Sequence, residues 1–111
     1  MNNTEYNITS AVRSKQNGVF ANTAVSFNNT STMGMVNLHG HIIAEIDFGK
    51  KEVKLFNRGW KTNTTKSRLN CTLNGLNCKF KVAQRNRKWY ILNEDLSVFK
   101  EFTEGMVLSF D

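Results

Sequence analysis

Hydrophobic and polar residues alternate along most of the chain, and this period of two predicts β-strands with one buried face. The longest alternating segment, MVNLHGHIIAEIDF, predicts a single strand over residues 35–48. Its buried face consists of Val36, Leu38, Gly40, Ile42, Ala44, Ile46 and Phe48. Its solvent face consists of Asn37, His39, His41, Glu45 and Asp47.

A turn at Gly49 and Lys50 predicts that EVKLFNRGW returns as the antiparallel partner of this strand. The pairs on the buried side are then Ile46 with Val53 and Ala44 with Leu55. The neighbours on the solvent side are Glu45 with Lys54, His41 with Arg58 and His39 with Trp60. Asp47 would face Glu52, and the repulsion between these carboxylates indicates a wider turn.

Two further hairpins are predicted on either side of this pair. In the first, Tyr6, Ile8 and Val12 lead into the turn dipeptide Asn17-Gly18 and an alternating run that ends at Phe27. In the second, CKFKVAQRNRKWYIL turns near Arg85 and Asn86. The residues paired across that turn are Phe80 and Val82 with Trp89 and Ile91, and Trp89 is expected in the core.

The C-terminal segment NEDLSVFKEFTEG fits two structures. It could form a short helix capped by Asn93, or a hairpin that turns at residues 93–95. We favour strands, because Val, Phe and Ser are common there, and we expect MVLSF to form the last one.

One helix is predicted over residues 65–75. Leu69, Leu73 and Leu76 fall at the spacing of a helix face, Thr64 or Thr65 is the expected N-cap, and Gly75 is the expected C-terminal stop. Together these elements predict an α+β fold, with a twisted, mostly antiparallel sheet or partly open barrel of about seven strands and one helix across it.

The length of 111 residues predicts one domain, over residues 5–111, after a disordered tail at residues 1–4. No signal peptide or transmembrane run is present, so we expect no membrane partner and a cytoplasmic location. Cys71 and Cys78 are too few for a zinc site and are expected to be reduced and structural.

The charge distribution adds a candidate function. Lysine and arginine outnumber aspartate and glutamate by 15 to 9, and between Val53 and Asn93 there are ten cations and no acid. Aromatic residues lie among these cations, which is the combination that holds single-stranded nucleic acid. Trp60 and Tyr90 are the expected base-stacking residues. From Glu94 onwards the balance reverses, with five acids against Lys100.

The start of the predicted helix carries cations where a helix favours anions. This local cost indicates an external anion held by the free N–H groups and the threonine hydroxyls. No P-loop spacing is present, so nucleotide hydrolysis and magnesium are not predicted. The expected phosphate-binding residues lie at the start of this helix and at the tip of the hairpin that follows it. They are Lys61, Thr64, Thr65, Lys66, Arg68, Arg85, Arg87 and Lys88.

His39 and His41 share one face of a strand and are the remaining chemical candidates. Two histidines do not make a metal site, and no third ligand is predicted nearby. They could act as acid and base in a metal-free phosphodiester cleavage, with Arg58 or Lys61 stabilising the transition state. Serine and cysteine nucleophiles have less support.

The segments LHGHIIA at 38–44 and GWKTNTTKSRLN at 59–70, with WYIL and FTEGMVL later in the chain, carry a family resemblance. This pattern resembles that of small uncharacterised bacteriophage proteins, over roughly residues 22–108. The resemblance implies a phage accessory protein in the host cytoplasm and carries over no catalytic residue.

These observations predict a non-enzymatic phage protein, a monomer or homodimer without cofactor or metal, that binds nucleic acid or nucleotide phosphates through a basic surface. The main alternative is an inhibitor that docks on an acidic host protein, such as a defence or transcription factor, during host takeover. The third hypothesis is the phosphodiesterase with His39 and His41 at its centre.

Overall fold

The sequence folds into two α-helices and nine β-strands, in a computed structural model that describes residues 2–111. The elements are α1 (Asn3–Ser14), β1 (Gly18–Phe20), β2 (Thr23–Phe27), β3 (Met33–Leu38), β4 (His41–Asp47), β5 (Glu52–Leu55), α2 (Asn63–Gly75), β6 (Lys81–Arg85), β7 (Lys88–Leu92), β8 (Val98–Glu101) and β9 (Met106–Ser109). Within this part of the chain, none of the helices is long and apolar enough to cross a membrane.

The strands form two antiparallel sheets. The large sheet has the order β1-β2-β3-β4-β5-β9, and the small sheet has the order β6-β7-β8. The α+β class and the twisted antiparallel sheet are confirmed. In residues 2–111 there are nine strands rather than about seven and two helices rather than one, and neither sheet closes into a barrel.

The N-terminal segment is a helix, so the strand predicted from Tyr6 to Val12 was wrong. Asn2 and Glu5 form a reciprocal capping box: the Glu5 amide donates to Asn2 Oδ1 at 2.8 Å and the Asn2 amide to Glu5 Oε1 at 3.0 Å. Ile8 and Val12, one helical turn apart, are buried. Of the predicted disordered tail, residues 3–4 lie in the first turn of α1, and Met1 lies outside the described residues.

The segment predicted as one strand over 35–48 is a hairpin. The chain reverses at His39 and Gly40, which both have left-handed φ angles, 52° and 79°. A bulge between Val36 and Asn37 also shifts the alternation, so Ile43 rather than Ile42 is in the core. Gly40 was the missed signal, because a left-handed turn residue without a Cβ is favoured there.

The register between β4 and β5 is confirmed. Ile46 pairs with Val53 and Ala44 with Leu55, and all four side chains are buried. Asp47 pairs with Glu52, and the connection is the wider turn that this repulsion indicates, spanning residues 48–51.

The predicted helix is confirmed as α2, with different ends. Its N-cap is Thr62 rather than Thr64 or Thr65, and Thr62 Oγ1 accepts the Thr65 amide at 3.2 Å. Gly75 is the last helical residue rather than a stop. A Cβ on Gly75 would lie 2.7 Å from Cβ of Val12, so glycine is required for the close approach of α1 to α2.

The hairpin of β6 and β7 and the strands of the C-terminal segment are confirmed. The β6–β7 turn is at Asn86 and Arg87, one residue later than predicted, and Trp89 therefore lies opposite Gln84. Phe80 precedes β6 and has no strand partner. Trp89 is in the core, as expected, with 3% of its surface exposed.

Candidate nucleic-acid interface

The outward face of the β6–β7 hairpin carries three cations and no acid. Lys81, Ala83 and Arg85 alternate along β6, and they pair with Leu92, Tyr90 and Lys88 of β7. Directly opposite residues share a face, so these six side chains lie on one side of the hairpin. The opposite side is the core side, since it carries the buried Val82, Trp89 and Ile91.

Three features of this outer face favour an anionic aromatic ligand. Arg85 lies directly opposite Lys88, and a like-charge pair in this position is destabilising unless an anion relieves it. Lys81, Arg85 and Lys88 are exposed, and Tyr90, half-buried, stands among them. Arg85 Nη2 also donates to the Leu96 carbonyl at 3.3 Å, which orients its guanidinium beside the β7–β8 loop.

Helix α2 runs alongside β6 and brings its first turns towards the hairpin tip. The Asn70 side chain makes two hydrogen bonds to the backbone of Val82, at 2.8 and 2.9 Å. One helical turn earlier, Lys66 Nζ donates to Gln84 Oε1 at 3.5 Å. Four helical residues and two strand residues each advance about 6 Å, so the N-terminus of α2 and the hairpin tip lie at the same end of the molecule.

The predicted phosphate-binding residues divide into two groups. Exposed or half-buried, at or near this end, are Lys61, Thr64, Lys66, Arg85, Arg87 and Lys88. Thr65 and Arg68 are instead buried, with 1% and 9% of their surfaces exposed. The reason is helical periodicity: residues 65 and 68 fall on the same face as the core residues Leu69 and Thr72.

The Arg68 guanidinium is satisfied inside the protein. Its Nε donates to Thr23 Oγ1 at 3.0 Å and its Nη1 to Ser67 Oγ at 3.1 Å. The Ser67 hydroxyl donates in turn to Glu5 Oε2 at 2.7 Å. Hydrogen bonds from the Asn2 backbone and from Ser67 lower the pKa of Glu5. Glu5 of α1 therefore contacts the segment of residues 53–93, which contains no Asp or Glu of its own.

The two histidines lie beside Trp60, so the predicted contact of His39 with Trp60 is present. The prediction that His39 and His41 share a strand face was wrong, because His39 lies in the turn between β3 and β4. The His39 and His41 ring centroids are 6.0 and 5.3 Å from that of Trp60, with nearly perpendicular planes. Since two imidazoles already pack on Trp60, Tyr90 is the better placed of the two predicted stacking residues.

Arg58 contacts the Phe56 ring and the Ile42 carbonyl. Its guanidinium carbon lies 4.6 Å from the Phe56 ring centroid, and its Nε donates to the Ile42 carbonyl at 2.7 Å. The Glu104 carboxylate accepts the backbone amides of Asn57 and Arg58 at 2.6 and 2.8 Å. Glu104 therefore fixes the loop that presents Trp60.

Other reactive groups give no comparable arrangement. Within residues 2–111, no group of three or more His, Cys, Asp and Glu side chains could hold a metal ion. Burial raises the pKa of both Cys71 and Cys78, which disfavours the nucleophilic thiolate.

Three residues of this face were not predicted from the sequence: Lys81, Ala83 and Glu101. Ala83 and Glu101 lie on either side of Tyr90, because Tyr90 of β7 pairs with Ala83 on β6 and with Glu101 on β8. Lys81, Ala83 and Arg85 are two residues apart, and this spacing could have predicted that Lys81 and Ala83 share a strand face with Arg85. The position of Glu101 could not be predicted in this way, since its pairing with Tyr90 depends on a bulge between β7 and β8.

Comparison with known proteins identifies the family. The family model described as Kyanoviridae Gp96 protein matches residues 1–109, nearly the whole chain, so this chain belongs to that family of phage proteins. No curated protein and no solved structure matches it.

Proposed function

We propose that this member of the Kyanoviridae Gp96 protein family binds single-stranded nucleic acid through the outer face of the β6–β7 hairpin. The like-charge pair of Arg85 and Lys88 beside Tyr90 is the observation that carries the proposal. Phosphates would relieve the repulsion between the two cations, and a base would stack on the tyrosine.

The strand would continue from the hairpin towards the start of α2. Lys61 and Thr64 are exposed there, and Lys66 reaches Gln84 of β6. Thr65 and Arg68 are left out of the proposed interface because they are buried. A surface of this kind contacts the phosphate backbone and the faces of unpaired bases rather than the grooves of a duplex. The proposed place of action is the host cytoplasm.

The test is the salt dependence of binding to a labelled 12-nucleotide single strand, followed by fluorescence anisotropy. In the variant K81Q/R85Q/K88Q, three phosphate contacts are lost. We expect the slope of log affinity against log salt to become shallower by about 2, at about 0.7 for each phosphate.

The matched control is K50Q/K51Q/K54Q, which removes the same charge from exposed positions at the turn between β4 and β5 and on β5. We expect its slope to remain that of the wild type. Equal losses in both variants, or no binding by the wild type, would refute the proposal. An acidic host protein would instead be retained from nuclease-treated lysate in a stoichiometric, weakly salt-dependent complex.

A further inference from the structure

The neighbours of Tyr90 differ on its two sides, and this difference bears on which base could stack there. Ala83 lies opposite Tyr90 on β6 and Glu101 lies opposite it on β8. Directly opposite side chains on one face have Cβ atoms about 5 Å apart. The tyrosine therefore has a methyl side chain on one side and a carboxylate on the other.

The Glu101 carboxylate is available for a ligand. It is exposed, and within residues 2–111 it takes part in no hydrogen bond or ion pair. An acid lowers the attraction of this surface for phosphate, so the presence of Glu101 on the edge strand β8, beside the cations of the hairpin, calls for another role. A carboxylate only accepts hydrogen bonds, and it is the natural partner of the N–H groups on a base edge.

We infer that Glu101 makes this surface selective for guanine at the position stacked on Tyr90. Guanine presents two adjacent donors, N1–H and the 2-amino group, which match the two oxygens of a carboxylate. Cytosine and adenine present a single amino group beside an acceptor. Thymine and uracil place N3–H between two carbonyl oxygens, which the carboxylate repels.

This inference rests on the proposed function, because the tyrosine must first receive a base. The probes are labelled 12-nucleotide thymine strands with one central guanine, inosine, adenine, cytosine or thymine. We expect guanine to bind about tenfold more tightly than thymine, the discrimination typical of one bidentate contact. Inosine, which lacks the 2-amino group, should fall between them.

Glu101→Gln keeps the side chain's shape and adds a donor. We expect it to bring guanine and thymine within about twofold of each other, since an amide can pair with either base. Glu94→Gln is the matched control: it removes the same charge from an exposed loop residue next to β7, and the guanine preference should persist.

The outcomes separate the two proposals. Equal, salt-dependent binding of all five strands by the wild type would overturn the guanine assignment alone, as would a preference that survives in Glu101→Gln. Failure to bind any strand would overturn both. Guanosine monophosphate as a competitor distinguishes the source of the base: displacement near the strand's own Kd supports a free nucleotide, and displacement only at far higher concentration supports a guanine within a strand.

Discussion

The two sheets of this protein differ in how their charges are matched. On the outer face of the large sheet, Glu45 lies opposite Lys54. The like-charge pair of Asp47 and Glu52 lines a shallow depression together with Lys50 and Lys54, which offset it. On the small sheet, Arg85 lies opposite Lys88 and the only acid across the strands from this hairpin face is Glu101, within residues 2–111.

The sheets also differ in how they are attached to the helices. The large sheet supplies most of the core through residues such as Val36, Ile46 and Leu55, which are fully buried. The small sheet is joined to α2 along one edge, through Asn70 and Lys66. The comparison indicates that the large sheet supplies core packing and offsets its own charges, whereas the small sheet leaves the cations of its hairpin face largely unmatched.

The largest effect is expected from the contact between the helices that cover the large sheet. Gly75→Val places a Cβ 2.7 Å from that of Val12 and 2.8 Å from the Thr9 carbonyl oxygen. We expect a loss of about 3 kcal/mol in the free energy of unfolding, measured with urea, because neither neighbour is a flexible side-chain end. Asn74→Val, at the exposed preceding position, is the control and should lose under about 1 kcal/mol, because the two residues are similar helix formers and only the exposed hydrogen bond from Arg13 Nη2 to Asn74 Oδ1 is lost.

The second largest effect is expected from the hydrogen bonds that join Asn70 of α2 to Val82 of β6. Asn70→Leu leaves the N–H and C=O of Val82 without the partners that Asn70 supplies. We expect a loss of about 2 kcal/mol in unfolding free energy, together with faster amide hydrogen exchange in β6. Asn70→Asp keeps the acceptor for the Val82 amide but sets a carboxylate oxygen against the Val82 carbonyl, so we expect it to be less stable than the wild type as well. Unchanged exchange in β6 would show that the attachment lies elsewhere.

A smaller effect, on binding rather than stability, sharpens the difference between the outer faces. Tyr90→Ala removes the stacking surface, and we expect affinity for a 12-nucleotide single strand to fall about tenfold with an unchanged salt slope. Tyr6→Ala, on α1 and with 64% of its surface exposed, is the control and should bind as the wild type does. A changed salt slope in Tyr90→Ala would argue against stacking.

The smallest effect is expected from Glu5 of α1, whose carboxylate accepts a hydrogen bond from Ser67 of α2. The pKa of Glu5 is lowered in the folded protein from its ordinary value of 4.5, chiefly by the Asn2 backbone hydrogen bond and then by Ser67. Its stabilisation is therefore present above 4.5 and is lost as the pH falls through the lower folded value. Wild type should exceed Glu5→Gln in urea stability at about pH 7, and the two should converge well below pH 4.5. A gap that persists in acid would exclude this carboxylate as the cause.

The sequence was most informative where one local signal decided the structure. The buried pairing of β4 with β5 followed from alternation, and α2 followed from the spacing of its leucines. The first helix was missed because the alternating Tyr6, Ile8 and Val12 outweighed the capping pair of Asn2 and Glu5. Ile8 and Val12 fit a helix face as well as a strand face.

The candidate surface was predicted only in part. The exposed cations at the hairpin tip could be read from sequence, because a tip residue is rarely buried. The burial of Thr65 and Arg68 required the true start of α2: with Thr62 rather than Thr64 or Thr65 as the N-cap, both residues lie within the helix and on the face of Leu69. The position of Glu101 beside Tyr90 required a pairing across a bulge, which no local pattern specifies.

The side chain of Asn70 has a consequence for solubility. An amide side chain has the donor and acceptor of a peptide group, so at Val82 it takes the place that a neighbouring strand would fill. The edge of β6 is thereby closed to strands from other molecules at this residue. At this position β6 is therefore protected from pairing edge to edge with a strand of another molecule.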